Sequence, residues 1–492
     1  MEDDFYYDDL ENLDESLLDA YFDGEDIDPE LADLLAAYRQ RDMQHYDRIA
    51  FTDLYQNCMW PTVTQTIESI VPLLFYCFLY RLVCTFRQTD SNEFGVPVWF
   101  LHVSSALFGV LALKSFFDMS LLYLLMHCSL SYFVFVVTSW RWRHLCGITI
   151  SISVVAYLLT CELFLVDKVN WHRIRGAQII LSMKIIGVGF DHSNGNVEKL
   201  PDVTQFLGYC LNVGSVIFGP WVSYQDYLQA VKLDYKALDI WWFYKILTTP
   251  LLALVCVTVS SCLIPWAVLN DQHKWILAYR DAQSFRFSHY FVSYLSEISA
   301  TMVGLGASVI EGDVRWDLKV SKPLHVEFPR SLVEVVTNWN IPLHQWLKTY
   351  VFRTARPMGT FAAVLFTYIA SALLHGLNFQ LATVLLSLGF YSYIEFVFRE
   401  KLSSIFDACI QAKRCKEDCN HHYKQYHPTV FLTNLSFAAL AIFHLAYLGL
   451  MFDSSAEEEK GYTMQHTLGK WSELNFASHW VAFGTYIFHF LI

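Results

Sequence analysis

Eleven stretches of this chain are apolar over 17 residues or more, and no soluble fold has a use for so many. They run Val63 to Phe86, Val96 to Phe117, Met119 to Trp140, Leu145 to Val166, Val203 to Ser223, Trp241 to Leu269, Phe287 to Ala307, Met358 to Leu374, Phe379 to Phe398, Val430 to Met451 and Phe476 to Ile492. In lipid every backbone N–H and C=O must be bonded internally, which leaves a bundle of helices as the fold. Composition agrees: 17% of residues are charged, against about 25% in soluble domains. The expected class is all-α, a polytopic membrane protein. One further apolar stretch, Trp171 to Phe190, carries His172, Arg173, Arg175 and Lys184. It is too charged to face lipid, so it is expected against the protein interior or at the interface.

The net charge of −14 belongs to one end of the chain. Residues 1–53 hold 18 of the 48 acids and 3 of the 34 bases, so the remainder is nearly neutral. That segment, with a short helical pattern at Leu31, Leu34, Leu35 and Tyr38, has too little apolar surface for a core and is expected to be a disordered acidic tail. The membrane domain is expected to fill residues 54–492. No basic stretch leading into a cleavable apolar segment opens the chain, so the first span is expected to direct insertion. Basic residues follow the first span at Arg81 and Arg87, flank the third at Arg141, Arg143 and His144, and cluster at Arg399, Lys401, Lys413, Arg414 and Lys416. The positive-inside rule puts those loops in the cytosol and the acidic tail opposite them.

The stretch Trp339 to Gly376 carries the candidate chemistry. It passes Asn340, Trp346, Tyr350 and Phe352, breaks at Arg353 and Arg356-Pro357, and continues as the uncharged run Met358 to Leu374, which ends on His375. An ionisable residue ending a membrane-length segment is costly and points to function. With Pro357 in the first turn of a helix through His375, residues Tyr368, Ser371 and Ala372 share a face with the imidazole. A desolvated imidazole is neutral at pH 7 and accepts a proton, while a carboxamide donates to a carbonyl oxygen without carrying charge. The pair suits acyl transfer to a hydroxyl. A structural histidine capping a helix, with a loop asparagine, fits the same residues.

The loop Glu311 to Arg356 interleaves Trp316, Trp339 and Trp346 with Lys319, Lys322 and Arg330. Such a loop serves either as an interfacial belt or as a mouth that meets phosphates. Trp339, Tyr350 and Phe352 are candidate wall residues of an apolar pocket, or ordinary packing. Cys409, Cys415, Cys419, His421 and His422 are grouped in a basic loop, and their spacing fits no common zinc pattern. A structural metal, S-acylation and no role all remain open for them, and no metal is assigned to the site. Gly-x-Ser-x-Gly, His-x4-Asp, His-Glu-x-x-His and Walker signatures are absent, which favours direct attack over an acyl-enzyme.

Asn340 in Asn338-Trp-Asn-Ile-Pro, with His375 in Ser371-Ala-Leu-Leu-His-Gly, resembles the asparagine and histidine pair of the membrane-bound O-acyltransferase family. The likeness continues through Trp171-His-Arg-Ile-Arg-Gly-Ala-Gln178, Phe218-Gly-Pro-Trp221, Phe285-Arg-Phe-Ser-His-Tyr-Phe291, Trp316-Asp-Leu-Lys-Val-Ser-Lys-Pro323, Phe328-Pro-Arg-Ser-Leu-Val-Glu-Val-Val336, Ala441-Ile-Phe-His-Leu-Ala-Tyr-Leu448 and Lys470-Trp-Ser-Glu-Leu474, over about residues 55 to 492. It is nearest to the members of that family that acylate a protein serine. The resemblance implies re-entrant helices around a central tunnel, palmitoleoyl-CoA as donor substrate and a Wnt protein as acceptor. It also implies an endoplasmic reticulum membrane, with membrane lipids as the surroundings, and calls for no bound cofactor and no nucleic acid. His375 and Asn340 are then catalytic. Trp339, Tyr350, Tyr368 and Ser371 are candidates for substrate contact, and Lys319, Lys322 and Arg330 for the phosphates of CoA. Two other readings stay open: an acyltransferase for a lipid or another secreted protein, and a non-enzymatic transporter or receptor, for which no internal repeat or pair of broken helices is visible.

Overall fold

The structure, a computed structural model, describes residues 50–88, 95–233, 239–310, 313–416, 418–452 and 464–492. The expected acidic tail, apart from its last few residues, lies outside the described residues. Cys58–Ile492 form one compact unit; of the unit before it, only the helical turn Phe51–Leu54 and its neighbours are described. Helices dominate: α1 Trp60–Thr85, α2 Val98–Phe117, α3 Leu121–Trp142, α4 Cys146–Thr160, α5 Lys168–Ser193, α6 Val203–Cys210, α7 Tyr224–Lys232, α8 Ile240–Thr258 and α9 Lys274–Met302. A two-stranded antiparallel hairpin, β1 Ala307–Ile310 and β2 Asp313–Trp316, follows. Then come three short helices, α10 Pro323–Glu327, α11 Leu332–Trp339 and α12 Ile341–Trp346, and the longer α13 Thr360–Leu374, α14 Phe379–Phe406, α15 Pro428–Gly449, α16 Met464–Glu473 and α17 Ala477–Leu491.

Five helical stretches among the described residues are long and apolar enough to cross a bilayer, one of them the 68-residue run Val98–Leu165 that holds α2, α3 and α4 in succession. Their outward faces leave Phe133, Trp140, Ile152 and Phe164 bare, as lipid contact requires. Ten of the eleven expected segments keep a helix through most of their length, though α9 begins 13 residues before the expected Phe287. Segment Val203 to Ser223 does not: its helix stops at Cys210, and the chain continues to Ser223 as buried irregular backbone. Asn212 turns it, accepting from Gly214 N and donating to Ser105 Oγ. Irregular backbone at membrane depth is stable only when walled in by protein, and the wall here is built by α2 and α9 together with α5. The last of these is the charged helix that the sequence kept away from lipid, and Trp171 and most residues from Ala177 to His192 are buried. Its Lys184 Nζ donates to Tyr209 O, Cys210 O and Ser215 Oγ, satisfying carbonyls that the end of α6 leaves open.

The helix leading to His375 also differs from expectation. Pro357 sits in a separate tight turn, Arg356–Met358, and Gly359 breaks the chain at φ +103° before α13 starts at Thr360. A positive φ is open to glycine and strained for other residues.

Candidate active site

Asn340 is the hinge between α11 and α12, with an extended backbone. Its Oδ1 accepts from Leu343 N at 3.1 Å, capping α12. Because the oxygen is held by that N–H, the amide nitrogen faces away from the cap as a donor. The hinge is fixed on both sides. Trp339 stacks on His289 of α9 at 4.1 Å and 8°, and His289 Nε2 meets Trp339 O at 2.9 Å. Ile341 N donates to Val320 O at 2.8 Å. Farther along, Arg286, Tyr290 and Gln283 of α9 all hold Glu327 at the end of α10.

His375 caps the C-terminus of α13. Its N–H bonds Ser371 O and Ala372 O, and Gly376, at φ +88°, returns an N–H to Leu373 O. The turn is pinned by Glu162, whose carboxylate oxygens accept Leu377 N at 3.0 and 2.9 Å. Leu374 packs in the same buried cluster as Trp346 and Tyr350. The imidazole itself is half-buried, and neither ring nitrogen has a hydrogen-bond partner among the described residues. Other histidines of the bundle are tied down: His102 to Tyr227, His127 to Gln178, His192 to Ser139 and Val197 O, His444 to Ser478, and His479 to Tyr447.

The remaining sequence candidates separate into groups. Tyr350 is buried, donates to Asp191 at 3.0 Å and sits edge-on to Trp221, so it joins the helical turn Leu347–Phe352 to α5. Tyr368 lies over Gly389 of α14, where any β-carbon would meet its ring at 2.6 Å, and Ser371 is buried at the end of α13. Trp339 is committed to His289. Lys319 lines a cavity of about 550 Å³ with Lys245, Arg315 and Trp316, and its side chain is half exposed there. Lys322 is exposed beside α10. Arg330 stands apart: its guanidinium donates to Cys409 O at 2.7 Å and Gln411 O at 3.1 Å, a framework role that leaves little for a phosphate.

Two residues escaped the sequence reading. Glu162 is the lone charge in its apolar stretch, and a lone charge there requires a partner. His289 belongs to a polar stripe along α9, with Arg286, Ser293 and Glu297 at helical spacing, which marks the face that meets protein.

Residues 108–400 match the model of the membrane-bound O-acyltransferase family. The chain belongs to that family. It is an acyltransferase, and the site just described falls within the matched region. Among curated relatives it is similar to the protein-serine O-palmitoleoyltransferase porcupine of Mus musculus and of Homo sapiens. To each it is 43% identical over 466 residues, 90% of this chain and 98% of that protein. To the protein of the same description from Anopheles gambiae it is 34% identical, over 90% of this chain and 94% of that protein.

Proposed function

We propose that this acyltransferase moves a palmitoleoyl group from palmitoleoyl-CoA to a serine hydroxyl of a Wnt protein in the endoplasmic reticulum membrane. His375 takes the serine proton as the hydroxyl oxygen attacks the thioester carbonyl. The Asn340 amide donates to the oxyanion that forms. Collapse expels the CoA thiolate, which receives the proton from the imidazolium, leaving an oxyester and free CoA. General-base help is worth about 10²–10⁴-fold and one oxyanion donor about 10²–10³-fold. The surrounding apolar helices keep bulk water from the thioester.

The observation that carries this reading is the contrast at His375: an imidazole at the end of an apolar helix with both nitrogens open among the described residues, in a bundle where His102, His127, His444 and His479 bond side chains of neighbouring helices. Sidedness supports it. Cys58 and Cys262 form a disulfide, which belongs on an oxidising face. Arg81 and Arg87 lie at the other end of the helix that starts at Trp60, where the positive-inside rule puts the cytosol. Lys319 and Arg315 at their cavity suit the phosphates of a donor nucleotide arriving from that side.

The chain is also 26% identical, over 48% of its length, to lysophospholipid acyltransferase 1 of Arabidopsis thaliana, covering 60% of that protein. Acceptor identity is therefore the point to test. Purified protein is incubated with palmitoleoyl-CoA and either a Wnt-derived serine peptide or a lysophospholipid, and the products are weighed. The peptide is expected to gain one palmitoleoyl mass. Acylation of the lysophospholipid with an unchanged peptide would contradict the proposal.

A further inference from the structure

Away from this site, the loop between α14 and α15 brings together four side chains whose sequence spacing gave no recognisable pattern. Cys409, Cys415, Cys419 and His421 place their ligand atoms all within 4.8 Å of one another. Cys409 Sγ lies 3.3 Å from Cys419 Sγ, and His421 Nδ1 lies 3.7 Å from both Cys409 Sγ and Cys415 Sγ. These are close to the edges of a tetrahedron with metal–sulfur bonds of about 2.3 Å and a metal–nitrogen bond of about 2.0 Å. They are far from a disulfide, whose sulfurs sit about 2.05 Å apart.

The surroundings specify which nitrogen faces the sulfurs and in what state. Ser403, buried at the end of α14, gives its hydroxyl proton to Ala408 O at 2.7 Å. Its oxygen is then an acceptor for His421 Nε2, 3.1 Å away. Nε2 therefore carries the proton, and Nδ1 turns a lone pair toward the three sulfurs. This outer hydrogen bond is the one that metal-bound histidines make. Lys424 Nζ is 3.5 Å from Cys419 Sγ and also bonds Cys419 O, a cation placed where three thiolates and one divalent ion would leave a net negative charge. The loop is also basic, with Lys413, Arg414 and Lys416, so it lies on the cytosolic face, where thiols stay reduced.

We propose that Cys409, Cys415, Cys419 and His421 bind one zinc ion with a structural role. A closed set of three sulfurs and one nitrogen is the donor set of a structural zinc site and leaves no position for a substrate. Its effect reaches the start of α11. Arg330 holds Cys409 O and Gln411 O, Ser331 Oγ donates to Ala412 O, and Arg399 bonds Ile410 O, Gln411 O and Arg330 O. An ion that closes this loop therefore fixes the carbonyls to which the start of α11 is anchored.

The test is elemental analysis of the full-length protein, purified without a metal-affinity resin. About one zinc per chain is expected. The Cys409→Ser and Cys419→Ser variants should drop to background, while Cys77→Ser, a buried thiol outside the cluster, should keep the ion. Zinc at background in wild-type protein would overturn the proposal, and that result needs no variant to fold. So would a different metal in its place, a Cys409–Cys419 disulfide in unreduced digests, or a hydroxylamine-sensitive acyl group on any of the three cysteines.

Discussion

His289 spends its surface on the protein, its ring flat against Trp339 and its Nε2 on Trp339 O, whereas His375 is held by its backbone and leaves its ring unbonded. Both are imidazoles among apolar helices. The first orients a neighbour and the second is available to react. The difference shows that residue type and burial do not identify a base. On the proposed mechanism the base is the one with a fixed backbone under a side chain whose polar atoms are uncommitted, and the substitutions below probe that distinction.

The largest effect is expected at His375. His375→Ala should lower single-turnover transfer by about 10²–10⁴-fold with expression and acyl-CoA binding intact. Next comes Asn340→Asp, which separates the two jobs of that side chain. Aspartate caps a helix as well as asparagine does, but a carboxylate cannot donate to an oxyanion. Stability should hold while transfer falls by about 10²–10³-fold, read as kcat against thermal midpoint. If Asn340 is only a cap, Asn340→Asp will transfer at the wild-type rate. A smaller loss is expected from Gly376→Ala. Its φ of +88° costs other residues about 1–2 kcal/mol, and the new β-carbon would meet Glu162 Oε1 at 2.7 Å. The thermal midpoint should fall and kcat with it, because the turn that aims His375 moves. The smallest effect is expected at Lys319→Ala, a rise of a few-fold in KM for the acyl donor with kcat unchanged, since an exposed charge contributes about 0–1 kcal/mol.

Much of this was legible in the chain. Apolar runs located the helices because lipid leaves few alternatives, and the charges of α5 excluded it from lipid, leaving the interior or the interface, of which the structure has the interior. The segment Val203 to Ser223 misled because hydropathy does not register that Lys184 and Asn212 would satisfy a broken backbone. Asn340 and His375 were recognisable by motif. Their anchoring was not, since His289, Glu162 and Val320 O are remote in sequence and act by contact. The setting of Arg330 was hidden for a similar reason: an arginine in a basic, aromatic loop suits a phosphate by composition, and nothing local announces that carbonyls 79 and 81 residues away take two of its nitrogens. The cysteine loop is the same case in reverse, with irregular spacing brought into register by Ser403 and the turn at Asp407.

The most direct test of the central claim compares wild-type protein with His375→Ala, both loaded with palmitoleoyl-CoA, in single-turnover transfer to a serine peptide followed by mass. The account predicts equal donor binding and a transfer rate at least about 100-fold lower in the variant. Transfer by a folded, donor-bound His375→Ala protein at the wild-type rate would contradict it.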